Sequence, residues 1–151
     1  MQNYRDRFRS ARALGFRSSY EVRISRELEE QGIAYEYEAH TIRYPQPAEE
    51  RRYTADFFLP NGILVEVKGE FDTADRKKHR LIKAAHPDLD IRIVFGRSAT
   101  RISKQSKTTY AKWCEVNGIP YADKSIPTSW LQEPINLRSL AALKGAEIGN
   151  P

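Results

Sequence analysis

The stretch from Tyr53 to Gly69, YTADFFLPNGILVEVKG, constrains the fold more than any other part of the chain. Two apolar runs flank Pro60-Asn61-Gly62, which suits a type I turn closed by a left-handed glycine bulge. A three-residue turn of this kind pairs Leu59 with Ile63. Counting outward, Phe58 meets Leu64, Phe57 meets Val65, and Asp56 meets Glu66. Opposed residues share a face with β-carbons roughly 4.5–5.5 Å apart. Lys68, two residues beyond Glu66, points the same way. Strands are depleted in Asp, Glu and Lys, so three ionisable groups on one face of an apolar hairpin need a reason. Two carboxylates that close repel unless a cation lies between them or one takes up a proton. A hard divalent cation, Mg2+ or Mn2+, with Lys68 beside it answers the arrangement. A hairpin with one solvated face also yields this pattern by simple alternation. Against that, Glu66 lies between Val65 and Val67 in an apolar run, as in a strand covered on both faces.

A length of 151 residues with 40% hydrophobic content bounds the chain to one folded domain with a modest core. Its one cysteine, Cys114, cannot form an internal disulfide, which agrees with a reducing compartment. No apolar run reaches transmembrane length, and the N-terminus lacks a secretory apolar core, so a cytoplasmic protein with no membrane partner is expected. The net charge of +5 is unevenly spread. Residues 1–26 carry seven arginines against Asp6 and Glu21, and 92–112 carry six bases and no acid. Residues 27–66 hold nine acids against three arginines. Basic flanks suit a polyanion, and an acidic centre suits a metal acting on it. A solvated basic surface that serves only solubility is the alternative.

Along the chain, 1–17 is expected to be a flexible basic arm, followed by a single folded domain at 18–133. A helix begins at Ser18 and ends before Gly32, with Glu21 at the capping-box position. Ile33, Tyr35 and Tyr37 alternate with Ala34, Glu36 and Glu38, as in a half-buried strand. Pro45 and Pro47 make regular sheet unexpected over 41–52, which reads as a stiff extended bridge. A second helix is expected over 73–85 and a buried strand at 91–95. Further on come a helix at 109–117 closed by Gly118, an edge strand near 119–122 and a helical turn around Trp130. Residues 134–151 read as a loosely ordered tail. His79 and His86 read as surface or helix-end residues without a metal role. The order α-β-β-β-α-β implies a mixed α/β sheet flanked by helices, with a parallel crossover into 91–95.

This order, with Asp56 and Glu66-Val67-Lys68 on adjacent strands, resembles the restriction-endonuclease-like fold and its PD…(D/E)XK signature; Ala55 stands where that signature has Pro. FRSSYE at 16–21, YTADFFLPNGILVEVKG at 53–69, DRKKH at 75–79, HPDLDIRIVF at 86–95 and ADKSIP at 122–127 together resemble the bacteriophage endonuclease I family of Holliday-junction-resolving nucleases. The resemblance runs from about Phe16 to Trp130. It implies a structure-selective, Mg2+-dependent endodeoxyribonuclease, acting as an intertwined homodimer on branched DNA such as four-way junctions. Asp56 and Glu66 would be metal ligands, joined by the Val67 carbonyl, with Glu21 at a second position and one or two ions per site. Lys68 would be the catalytic lysine, and the 41–52 bridge would carry part of each subunit into the other. On the residues alone, the capping box is the simpler explanation of Glu21. Phosphate contacts are expected from Arg12, Arg17, Lys77, Lys78, Arg97, Arg101 and Lys104. Two alternatives remain open here: a restriction or repair endonuclease on the same scaffold, and a basic DNA-binding protein without catalysis.

Overall fold

The structure is a computed structural model that describes residues 19–46 and 49–147. The arm expected at 1–17, with Arg12, Arg17 and the proposed cap Ser18, lies outside the described residues. Helix α1 (Ser19–Glu30) is followed by β1 (Glu36–Tyr37), β2 (Ile42–Gln46), β3 (Glu49–Tyr53), β4 (Phe57–Phe58) and β5 (Ile63–Lys68). Then come α2 (Thr73–Ala85), β6 (Asp90–Phe95), α3 (Tyr110–Asn117), β7 (Tyr121–Asp123), α4 (Thr128–Leu131) and α5 (Leu137–Ala146). Five strands form one mixed sheet in the order β1-β4-β5-β6-β7, and β2 and β3 form a separate two-stranded sheet.

The β4–β5 hairpin has the expected register. Phe57 pairs with Val65 and Phe58 with Leu64, and the Leu59 N–H donates to the Ile63 carbonyl at 2.9 Å. Gly62 takes φ +91°, and a β-carbon there would lie 2.9 Å from the Asn136 carbonyl oxygen. Glycine is thus required for both turn and packing. The α2 crossover makes β5 and β6 parallel neighbours, as expected, and sets Lys68 beside Phe95. Helix α2 starts at an Asp72 cap that closes a capping box with Asp75. Helix α3 ends at Gly118 with φ +68°, the left-handed residue that stops a helix. Apolar side chains pack on both faces of the sheet. Ile24, Leu28, Phe57, Val65, Val94 and Trp130 fill one side. Tyr53, Phe58, Leu64, Ile82 and Leu143 cluster with the second hairpin and α5. Cys114 is buried, and burial pushes its thiol up to about 12, which fits a packing role.

Three expectations are corrected. Residues 41–52 are not an extended bridge: β2 and β3 fold back on each other, Ile42 opposite Tyr53 and Pro45 opposite Glu50. Pro45 is tolerable because, among the described residues, β2 pairs as a strand only with β3, apart from an isolated bridge from Ile42 to Glu147, and an edge strand can spare the missing N–H. Alternate residues Ile42 and Tyr44 are buried, so apolar burial holds the hairpin down despite Pro45. Residues 134–147 are not a loose tail. Helix α5 buries Ser139 and Leu143, and the Ser139 hydroxyl donates to the Gly62 carbonyl at 2.6 Å while accepting from the Asp90 N–H at 3.0 Å. Finally, His79 is not a surface residue: it is 2% exposed, between Tyr53 and Phe71. Burial first, then Lys68 and Lys78, push its imidazole down to about 3. His86 does sit at the end of α2 as expected.

Candidate active site

The C-terminal end of β5 and the residues facing it concentrate acid. Glu66 is 7% exposed, in a strand whose burial is continuous from Ile63 through Glu66. Its Oε2 accepts from the Tyr53 hydroxyl at 2.8 Å, and its Oε1 lies 3.5 Å from Lys68 Nζ. Asp56, just before β4, accepts through Oδ2 from the Val67 N–H at 2.8 Å. Val67 therefore meets Asp56 through its backbone amide. Lys68 Nζ also donates to Asp75 Oδ1 at 3.2 Å; the first-turn partner of the Asp72 cap thereby fixes the lysine.

Glu21, in the first turn of α1, is 6% exposed and accepts from the Tyr37 hydroxyl. One oxygen each of Glu21, Glu38 and Asp56 lies within 4.8 Å of the others. Glu38 is the member that pattern reading missed. Alternation put it on the outer face of a strand at 33–38, but that strand ends at Tyr37. Glu38 takes a positive φ of 46°, rare for a residue with a side chain, and its N–H donates to the Asp56 carbonyl at 3.4 Å. A left-handed turn at a non-glycine residue leaves no period-two signal.

The electrostatics follow from this crowding. Burial, then the Glu66 charge, push the Asp56 carboxyl up to about 8, with Glu21 adding to the rise and the Val67 N–H opposing it. Glu66 is also raised, by burial, although Lys68 and the Tyr53 hydrogen bond offset part of it. Burial would lower Lys68, but Glu66 and Asp75 outweigh it and hold the ammonium above its ordinary value. Lys68 and Lys78 both draw on Glu66, while Glu21, Glu38 and Asp56 gather beside it. The donors are all oxygen, gathered from three chain segments, which fits a hard divalent cation.

Among the described residues expected to contact phosphate, Lys78 acts on Glu66 and holds its Nζ 5.3 Å from the Tyr53 ring centroid. Lys77, Arg97, Arg101 and Lys104 are exposed. The segment carrying the last three is pinned by a bridge between Arg101 and Thr109.

The fold and acid cluster set the chain among α/β proteins with a carboxylate-rich centre on a mixed sheet. The phage endonuclease I family model matches residues 1–149. Over 119 residues, 79% of this chain and 80% of the relative, it is 52% identical to Endonuclease I of Escherichia phage T7. Over 126 residues, 83% of each, it is 48% identical to Endodeoxyribonuclease 1 of Enterobacteria phage T3. The chain belongs to the phage endonuclease I family and is an enzyme of the endonuclease class. Among the described residues, no helix is long and apolar enough to cross a membrane.

Proposed function

We propose that the chain is a divalent-metal-dependent endodeoxyribonuclease that cuts four-way and other branched DNA junctions by phosphodiester hydrolysis, on a restriction-endonuclease-like scaffold. The observation that carries the reading is the gathering of Glu21, Glu38 and Asp56 within 4.8 Å of one another, with Glu66 raising Asp56 and Lys68 beside Glu66. The family membership supports it, as does the name endodeoxyribonuclease carried by the phage T3 relative.

Asp56, Glu66 and the Val67 carbonyl would hold Mg2+ or Mn2+, with Glu21 and Glu38 available to a second ion. When bound, the metal supplies Lewis acidity and a more acidic water. The remaining chemistry belongs to the chain. Lys68, anchored by Asp75, holds a positive charge toward the site, where it can orient a nucleophile or stabilise charge developing on phosphate. Glu21 and Glu66 are buried, where charge interactions act more strongly than in water. Lys77, Lys78, Arg97, Arg101 and Lys104 would position the phosphate backbone. Contacts of that kind carry no base readout, which suits recognition of DNA by shape.

Paired cuts on opposing strands call for two sites, so the proposal includes a symmetric homodimer. The folded-back hairpin at 42–53 removes the argument that a stiff bridge must cross to a partner; no exchange of segments is specified.

Cleavage of a four-way junction by the purified protein tests the reading against its component duplexes. Cutting in Mg2+, binding without cutting in Ca2+, and no cutting in EDTA are expected. Equal cleavage of junction and duplex would instead support a restriction or repair nuclease. Binding with no nicking at any divalent concentration would support a purely architectural DNA-binding protein.

A further inference from the structure

We infer that Tyr53 is a positioning residue for the reaction, its phenol fixing the carboxylate of Glu66 for metal binding. The inference rests on the reading above that Glu66 is a metal ligand. Tyr53 ends β3 of the small hairpin, yet its hydroxyl reaches across to the main sheet and donates to Glu66 Oε2 at 2.8 Å. The ring is 1% exposed. His79 meets it edge-on at 5.5 Å between centroids and Lys78 Nζ lies 5.3 Å from its centroid, so the phenol has little freedom to turn away. The Glu66 carboxylate is held at one oxygen by Tyr53 and drawn at the other by Lys68. Without the phenol, Lys68, 3.5 Å from Glu66 Oε1, can draw the carboxylate into an ion pair where a metal should go. Partners that orient a ligating carboxylate commonly matter 10–100-fold to metal affinity or activity. The hydroxyl also explains why the 42–53 hairpin must be packed down: its last residue completes the site.

The test uses the full chain and Mn2+ as probe, comparing wild type, Tyr53→Phe and Glu66→Gln by calorimetry. Junction affinity in EDTA and the metal-free melting curve are measured alongside. Tyr53→Phe keeps the ring, so the expected result is Mn2+ binding weakened about 10–100-fold with junction affinity in EDTA unchanged. The rise in melting temperature on adding Mn2+ should shrink in step. A merely structural role would lower the melting curve equally with and without Mn2+ and leave the affinity alone, which overturns the inference. Unchanged binding in Tyr53→Phe but lost binding in Glu66→Gln also overturns it while sparing the metal reading. Unchanged binding in both variants removes Glu66 from the metal site altogether. A second measurement needs no variant: with 13Cζ-labelled tyrosine at position 53 of the wild-type chain, saturating Mg2+ should shift the Tyr53 resonance. A resonance that stays still contradicts the role.

Discussion

Two clusters of charge occupy opposite ends of the parallel β5–β6 pair, and they are built on opposite principles. At the N-terminal end, the Arg92 guanidinium sits between two carboxylates. It donates to Asp90 at 2.8 and 2.9 Å and to Glu133 Oε1 at 2.9 Å, and stacks 5.1 Å from the Trp130 centroid. The hydrogen bond to Arg92 holds Glu133 below its ordinary value. Every charge there has a partner of opposite sign. At the C-terminal end, Asp56 and Glu66 are raised and Lys68 is the adjoining cation. The first cluster is closed by the chain itself and serves packing. The second gathers Glu21, Glu38 and Asp56 within 4.8 Å of one another, like charges crowded together. In sheets with parallel strands, ligand sites gather beyond the carboxyl ends of the strands, and here the crowding of like charges marks the same end.

The sharpest way to break this comparison is Asp56→Asn. It should abolish metal-dependent cleavage, an effect exceeding the roughly 100-fold expected of a mere supporting partner, with junction binding in EDTA retained. Arg92→Met at the other end should do the reverse. Loss of hydrogen bonds to charged groups should cost roughly 1.5–3 kcal/mol of stability, read by denaturant unfolding, with cleavage per folded molecule kept.

A pH series sharpens the contrast. Asp56 is raised to about 8 in the folded chain, against about 4 when unfolded. Between those values the folded state binds more protons than the unfolded one, so the metal-free protein should lose stability as pH rises from about 4 to about 8. Asp56→Asn should flatten that slope in thermal melts. Protons and cation compete for the same carboxylate, so Mn2+ affinity should climb over the upper part of this window. The smallest effect expected is from Lys104→Ala. It should weaken junction binding modestly and lower its salt dependence by about one phosphate contact, without altering the metal requirement.

Much of this was legible in the sequence where local chemistry leaves one solution. Pro60-Asn61-Gly62 specifies a single turn, and that turn sets Phe57 opposite Val65 and Phe58 opposite Leu64. Asp72 and Gly118 punctuate their helices in the same unambiguous way. Reading failed where tertiary packing overrides local preference. Pro45 argued against sheet, but it pairs with Glu50 in a two-stranded sheet whose apolar residues Ile42 and Tyr44 are buried. Helix α5 has a weak apolar stripe, and its anchoring comes from Ser139 bonding to Gly62 and Asp90, contacts distant in sequence. Glu38 and Tyr53 were invisible for a related reason. One enters the site through a left-handed backbone, the other from a hairpin that prolines seemed to forbid.

The most direct measurement is an anomalous-scattering map from crystals grown with Mn2+. The account predicts a peak within coordination distance of Asp56, with Glu66 or the Glu21–Glu38 pair completing its oxygen shell, and none beside Arg92. A well-diffracting crystal saturated with Mn2+ but lacking any peak at Asp56 would contradict it.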